Sequence, residues 1–533
     1  MEKKVLLLLL AFSFGLNAVI LYNFMILKTR PTRIGCKSPY LTKIRDAGEE
    51  MRASSLKEIN ANQYNGQFTL RVRRNLIKNA YSEALQVKEF VRKYFRKDLD
   101  QTTKTSLEED YYRNFLPFDD LVQKLTFLFD DIYRKSRNDL TILGDQVQRR
   151  IHKLQNPSDC KTAKRLICKF PSCGFGCQFH HLGNCLFFAL GTNRVMQIDY
   201  KSVKYQGFEK IFLPPSETCS NEDLPMDAVE LEEDLNQNYD NISVVTLNLK
   251  LNPPSAFKAH AIPHILQEKL KLLHDNPNLW WIGQIIGYLF RPRPWMVDKV
   301  QQITKNLNLT HPYVSIHVRR TDKLTKERKY EVEEYMEHVA DWFDRRVKSA
   351  NNYTRKVFVA SDDIASVIPD ARTKYPDFEF LYHGVDNIKL LKDMTQTVKS
   401  RQTEEELVSL VCNLMILSQS DHFVGTYSSN IGSLATQLMH SLGDATFKSR
   451  SIDYRLFYFR GLPLTYRAIE DFFGERGDLS FSTGEKIVLD PKKECPLYKG
   501  FGRNEAGHRV SFPMHKVEEI FTFVQYPALN DIF

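Results

Sequence analysis

What the chain does without excludes most of the familiar ways of handling nucleotides and metals. Its 533 residues hold no Walker loop and no long glycine-rich dinucleotide fingerprint, so neither device cradles a phosphate here. It has no zinc finger, no RNA-binding aromatic motif and no long basic run. A net charge of +9 fits an anionic ligand without indicating nucleic acid. Nine cysteines are few for this length, and none forms a C-x-x-C pair, which argues against zinc. No carboxylate–x–carboxylate signature stands out as a metal–diphosphate clamp. An anionic ligand must then be neutralised by protein groups.

The composition is that of an ordinary globular chain, 42% hydrophobic and 26% charged, long enough for two or more domains. Val5 to Leu27 carries no charged residue. Such a run can span a bilayer core, which needs ~20 apolar residues. A cleavable signal is shorter and ends at an A-x-A-like site, absent here, so a signal-anchor is expected over residues 5–27. Lys3 and Lys4 precede it and Lys28, Arg30 and Arg33 follow it, so flanking charge leaves its orientation ambiguous.

From about Lys43 to Leu154 the chain is charged and has little Gly or Pro. Leu121, Leu125, Leu128 and Ile132 form one helical seam; Leu140, Leu143, Val147, Ile151 and Leu154 form another. Such seams serve either amphipathic helices lying on their own domain or a helical dimerisation stem. Asn156-Pro157 ends the helix. Six cysteines follow within 60 residues: Cys160, Cys168, Cys173, Cys177, Cys185 and Cys219. His180 and His181 lend zinc some support, but disulfides fit better, with 15 possible pairings. Disulfides need an oxidising lumen, which puts the bulk of the chain lumenal and the N-terminus cytosolic. The sequons at Asn241, Asn308 and Asn352 are compatible with that. Cys173-Gly-Phe-Gly-Cys177 is a tight glycine loop, able to form an anion-binding nest or simply a turn closed by a small disulfide.

His311 to Lys323, HPYVSIHVRRTDK, organises the rest. Val314, Ile316 and Val318 alternate with Tyr313, Ser315 and His317, which predicts a strand with a buried face. Arg319 and Arg320 follow where the strand should end, the usual ligand edge of an open α/β sheet. An Arg pair there suits a diphosphate, although a solvated basic loop has the same spacing. By alternation Arg319 projects with Ser315 and His317, and Arg320 with the apolar set. Tyr353 to Ala360 predicts a second strand ending in Asp362 and Asp363. Residues 407–417 read as helix or strand; the strand ending in Thr426, Tyr427, Ser428 and Ser429 precedes a helix from about Ile431. Trp280, Trp281 and Trp295 bracket an apolar segment that reads mostly as core. After Leu464, short strands and tight Gly turns predict a small barrel.

HVRRTDK resembles the signature of the α1,6-fucosyltransferases, Golgi enzymes of N-glycan core fucosylation. WWIGQIIGYLFRPRPW, DCKTAKRLIC, CGFGCQFHH, VEEYM and VFVASDD resemble the same family, in order, from about Gln148 onwards. The resemblance implies a doubly wound, GT-B-like Rossmann α/β catalytic domain with an N-terminal helical stem and a C-terminal SH3-like β-barrel. It divides the chain into a cytoplasmic tail (1–4), anchor (5–27), stem (28–42), helical dimerisation region (43–155), catalytic domain (156–463) and SH3-like domain (464–533). It implies a homodimer and a single-pass type II protein of the Golgi membrane. The implied reaction moves fucose from GDP-β-L-fucose to the 6-hydroxyl of the innermost GlcNAc of an N-glycan, with inversion and without metal or cofactor. Glu327 is implied as base, with Lys323 assisting and Asp322 and Tyr335 beside it; Glu331 competes because the segment is one residue shorter than the family pattern. Donor contacts are implied for His317, Arg319, Arg320, Gly174, Gly176, the backbone of Cys177, Tyr335, Asp362, Asp363, Asn413 and Ser429. The implied disulfides are Cys160–Cys219, Cys168–Cys185 and Cys173–Cys177.

Two departures from the family stand out. Asn413 occupies the place of an aspartate associated with guanine recognition, and an amide offers only one acceptor where a carboxylate offers two oxygens. Gly425 and Gly432 stand where the family pairs two cysteines, so one disulfide is expected to be missing. Cys412 and Cys495 are expected to be free, and Cys36 to be available for pairing between chains. Rival readings are a non-catalytic glycan-binding or scaffold homologue, and a fucosyltransferase with a different acceptor.

Overall fold

The computed structural model describes residues 137–171, 173–219, 228–230, 242–247, 257, 259–274, 276–320, 328–347, 354–384, 402–442, 448–453, 464–473, 480–490, 499–513 and 516–530. Nearly all belong to one unit, made of Tyr133–Pro496, Gly500–Phe512 and Lys516–Phe533. The expected membrane anchor, the seam from Leu121 to Ile132, Cys36 and Cys495 lie outside the described residues. Among the described residues no helix is long and apolar enough to cross a membrane.

The unit opens with a helix, α1 (residues 137–155). Its seam of Leu140, Leu143, Val147 and Ile151 is buried within the chain itself. The Gln148 amide donates to the carbonyl and side-chain oxygens of Gln284 at 2.8 and 2.9 Å. Gln155 accepts from Met196 N and donates to Arg194 O. This second seam is therefore filled by its own domain, and the boundary expected at 155 is not a break in packing.

Two parallel sheets follow. In the first, β1 (Arg165–Cys168), β2 (Val195–Ile198), β3 (Val229–Glu230) and β4 (Val244–Leu247) run in the order β2-β1-β4-β3. Helix α2 (Phe175–Gly191) links β1 to β2 and is almost wholly buried. Three disulfides tie this half together: Cys160–Cys219, Cys168–Cys185 and Cys173–Cys177. Cys168, His181 and Cys185 cluster at metal-ligand distances, but both sulfurs are spent in a disulfide and His181 Nε2 bonds Lys169 O. The chain then forms β5 (Ala261–Pro263), α3 (Pro277–Leu289) and α4 (Pro294–Asn306). Trp280 and Trp281 are fully buried in α3, as a core reading expects. Trp295 is 41% exposed and donates its indole N–H to Lys210 O.

The second sheet contains β6 (Tyr313–Val318), β7 (Arg355–Ser361), β8 (Phe378–Tyr382), β9 (His422–Gly425) and β10 (Ser449–Ser451). All are parallel, in the order β10-β9-β6-β7-β8. Its helices are α5 (Val332–Val347), α6 (Ile364–Lys374), α7 (Glu404–Gln419) and α8 (Asn430–Ser441). All six residues of β6 are buried, so its polar positions do not face solvent. Ser315 Oγ meets Ser420 Oγ at 2.7 Å and donates to Leu417 O, on the α7 side. Val314, Ile316 and Val318 pack with Val332, Met336 and Val339 of α5 on the other. The ambiguous stretch 407–417 is helix. Thr403 caps it by accepting from Glu406 N, and three glutamates in the first turn suit the dipole.

Beyond Leu464 a five-stranded sheet forms from β11 (Thr465–Ala468), β12 (Lys486–Leu489), β13 (Lys499–Asn504), β14 (Arg509–Pro513) and β15 (Val517–Glu519). β11 pairs antiparallel with β12 and β15, and β12 with β13. Gly484 and Gly507 hold φ of 90° and 82°, which side chains rarely adopt, so the predicted glycine turns are real turns. The end of the chain leaves this sheet. β16 (Thr522–Val524) pairs parallel with β5. Tyr526 is buried against Trp281 and Phe257, its hydroxyl on Ala261 O, and Arg150 of α1 holds Ala528 O. The last residues thus pack with the larger α/β part, not with the small sheet that the expected 464–533 domain assigns them to.

Candidate active site

The carboxyl ends of β6, β7 and β9 lie along one edge, because the three strands are parallel and adjacent. Arg319 and Arg320 leave β6 there and part company. Arg319 pairs with Asp362 at the end of β7, Nη1 to Oδ2 at 3.1 Å, and keeps 21% side-chain exposure. The other Asp362 oxygen accepts from Arg320 N at 2.8 Å, so one carboxylate fastens the turn and orients the first guanidinium. Arg320 is 6% exposed and turns to the α5 face. Its Nη1 donates to Tyr330 O at 2.5 Å and its Nη2 pairs with Glu331 at 3.4 Å. Glu331 also pairs with Lys329. Held by both cations, Glu331 anchors the chain at the start of α5. Asp322, Lys323 and Glu327 lie outside the described residues.

Asp363 stands at the start of α6. Its carboxylate accepts from Ser366 Oγ and its carbonyl from Ser366 and Val367 N–H, so it starts α6. Tyr335 lies beneath the Arg319 turn, 1% exposed. Burial pushes its phenol well up, with the Asp453 charge adding to this and a hydrogen bond to the Arg319 backbone opposing it. His317 is buried on the α7 side of β6. On α7, the Asn413 Nδ2 donates to His383 O at 3.1 Å, just past the end of β8. Its Oδ1 is buried with no hydrogen-bond partner among the described residues. An aspartate here could not make that donation. The amide is therefore suited to its own backbone setting.

Beside β6, β9 ends in the turn of residues 426–429 and α8 begins. Asp453 holds this turn: its two oxygens accept from Tyr427 N at 2.8 Å and Ser428 N at 3.1 Å, and Ser451 Oγ donates to it at 2.6 Å. No pattern singles Asp453 out in the sequence; the only hint is a Ser-x-Asp triplet after a short strand. Ser429 is the N-cap of α8 and spends no side-chain bond on it. Gly432 lies against the same turn, where a Cβ would come within 2.3 Å of Thr426 O. At Gly425 a Cβ would meet the Phe423 ring at 2.5 Å. Gly432 thus packs on the backbone of the turn and Gly425 on the Phe423 ring. Cys412 is free and buried, and burial pushes its thiol up to about 11.

The N-terminus of α2 meets that of α8. A Cβ on Gly176 would come within 2.8 Å of Asn430 Cβ and 2.9 Å of its carbonyl carbon. Gly176 is thus required by helix packing, whatever it does for a ligand. Gly174 is the N-cap of α2 in extended conformation, and Cys173–Cys177 staples the first turn. His180 Nε2 meets Gln437 Oε1 at 3.0 Å one turn deeper. Burial lowers the His180 pKa to about 4, so it is neutral at ordinary pH. The α2 and α8 N-termini thus meet at Gly176, while Arg319 stands at the end of β6, the strand next to β9, which leads into α8.

A family model described as alpha-(1,6)-fucosyltransferase N- and catalytic domains matches residues 38–458. An alpha-(1,6)-fucosyltransferase of Drosophila melanogaster is 36% identical over 401 residues, covering 73% of this chain and 62% of its own length. The chain therefore spans a little under two thirds of that relative. An alpha-(1,6)-fucosyltransferase of Caenorhabditis elegans is 30% identical over 403 residues, 73% of this chain and 70% of its own. Among solved structures, NodZ alpha-1,6-fucosyltransferase co-crystallized with GDP aligns over 51% of this chain and 92% of its own. Its TM-score is 0.32 and its identity 14%, too slight a likeness to carry residue roles across.

Proposed function

The chain belongs to the alpha-(1,6)-fucosyltransferase family, and from that membership we propose that it transfers L-fucose from GDP-β-L-fucose to the 6-hydroxyl of the innermost, asparagine-linked GlcNAc of N-glycans. The observation that carries this reading is Arg319, oriented by Asp362 at the carboxyl end of β6. As the bond from fucose C1 to the diphosphate breaks, charge grows on the departing oxygen. A fork of guanidinium donors held in place stabilises that charge more than the ground state. The acceptor hydroxyl attacks from the opposite face, which inverts the anomeric centre, and its proton passes to a base. Glu327 is that base in this reading, with Lys323 and Asp322 beside it. The anchoring of Glu331 by Arg320 and Lys329 favours Glu327 over its competitor. Protein cations meet the diphosphate charge, so transfer needs no metal.

The same reading makes the protein a homodimeric, single-pass type II protein of the Golgi membrane, anchored by residues 5–27. The three disulfides support an oxidising compartment for the catalytic part. The two parallel sheets support a GT-B-like architecture, and the antiparallel five-stranded sheet an SH3-like one. The test is to incubate the full-length protein in detergent with GDP-fucose and a GlcNAc-terminated biantennary N-glycan. Fucose is expected on O6 of the innermost GlcNAc by linkage analysis. Transfer to another position identifies a different acceptor. A folded protein that binds the glycan and transfers nothing is the non-catalytic scaffold.

A further inference from the structure

Of the three glycosylation triplets, Asn308-Leu309-Thr310 is the one among the described residues. It closes α4, and that closure accounts for the Asn308 backbone in full. Leu307 ends the helix, and Asn308 follows with φ of 51°, in the left-handed region. The Asn308 N–H donates to Lys305 O at 3.0 Å, and the Leu309 N–H to Thr304 O at 2.9 Å. In such an ending a left-handed residue lets the chain satisfy the last free carbonyls, and glycine fills the place most often. Leu309 turns inward, 8% exposed. The ending does not account for an asparagine with a threonine two residues on. Neither bond uses the Asn308 side chain, and the residue is exposed. Asn156, Asn276 and Asn504, by contrast, each accept a backbone N–H through the side-chain oxygen.

Thr310 is exposed as well. Lys356, near the start of β7, holds the segment: its Nζ donates to Asn308 O and to Thr310 Oγ1. The triplet therefore lies at the amino edge of the second sheet. β6 runs six residues from Tyr313 to Val318, roughly 20 Å of strand, before Arg319 leaves its carboxyl end. A bulky group on Asn308 stands off the edge opposite Arg319 and leaves the donor side open.

We propose that Asn308 carries an N-linked oligosaccharide. The donor is a lipid-diphosphate oligosaccharide of the secretory lumen. Asn308 Nδ2 bonds to the anomeric carbon of the first sugar, and the bond from that carbon to the diphosphate breaks. The lipid diphosphate leaves with the electron pair, and the amide proton passes to the transferase. The proposal rests on the lumenal placement of the catalytic part. The folded chain accommodates the product because the residue is exposed and its side chain has no task in the helix ending.

The test uses full-length protein made in mammalian cells. Enzymatic release of N-glycans in heavy-oxygen water converts each occupied Asn to labelled Asp, which peptide mass spectrometry reads. Asn308 should be labelled in most molecules. Asn308→Gly suits the same left-handed φ and should abolish the modification in a chain that still folds. Thr310→Ala should abolish it with Asn308 in place, and decides alone if Asn308→Gly fails to fold. Protease treatment of sealed microsomes separates the site from the placement. An unlabelled Asn308 in a protected chain overturns the site alone. A chain digested from outside overturns the lumenal placement and the site with it. A modification that survives Thr310→Ala is not directed by the triplet and also overturns the proposal.

Discussion

Arg319 and Arg320 are neighbours in sequence and opposites in task. Alternation along β6 assigns one to each face, and the faces have different chemistry because α7 covers one and α5 the other. Arg320 is a fastener: buried, it ties the end of β6 to Tyr330 and Glu331, which frame the start of α5. Lysine keeps the charge but cannot serve both partners from one planar fork. Arg320→Lys should therefore lower stability by about 1–3 kcal/mol, the cost of leaving buried acceptors unmet. Thermal unfolding measures this, with kcat/KM per folded molecule staying within about threefold of wild type. A large loss of kcat/KM with an unchanged Tm would reverse the roles of the two arginines. The split between the arginines was legible in the sequence, since it needs only a strand period. Asp453 was not: it accepts backbone N–H groups from a turn 25 and 26 residues away, and no side-chain pattern records such a bond.

The element that matters most is α8. Its N-terminus touches α2 at Gly176, its flank meets Gly283 and Gly287 of α3, and the buried His180, His274 and His440 lie in or beside these contacts, with His181 next to His180 on α2. Burial lowers His180 to about 4 and His181 to about 3, and holds His440 well below its ordinary value, the nearby His274 adding to the effect. These groups fold neutral and would take up protons when unfolded. Their contribution is fully present above the ordinary histidine value of 6.5 and is lost as pH falls from there towards about 4. Stability should drop by roughly 1–2 kcal/mol per histidine between pH 7 and pH 5. Denaturant unfolding at the two values measures it, and His180→Gln should flatten the slope. Stability that is flat or rises on acidification would contradict this. The sequence marked His180 and His181 only as possible zinc ligands. Their neutral, packed role depends on α8, more than two hundred residues later in the chain.

Across the whole molecule, the segments assigned to separate regions by their composition are laced together. The α1 seam could be read as a dimer stem because heptad spacing does not say whose surface fills it, and this chain's own core fills it. The C-terminal return was illegible for a similar reason: β16 is three residues long and pairs with an equally short β5. Tyr526 locks that return, fully enclosed between Trp281 and Phe257. Tyr526→Ala should cost about 3–5 kcal/mol, as for other large buried rings, and thermal unfolding should show a single transition shifted down. A separate low-temperature transition of the C-terminal sheet would mean that the return does not couple the two.

That lacing frames the β6 edge, on which the proposed metal-free use of Arg319 depends. The direct test is the rate of fucose transfer by the full-length protein in excess EDTA, wild type against Arg319→Lys, on one N-glycan acceptor. The wild type should keep its activity in chelator. Arg319→Lys should lose about 3–4 kcal/mol of transition-state stabilisation, roughly two to three decades in kcat/KM, with an unchanged Tm. Activity abolished by EDTA and restored by manganese, or an Arg319→Lys enzyme close to wild type, would contradict it.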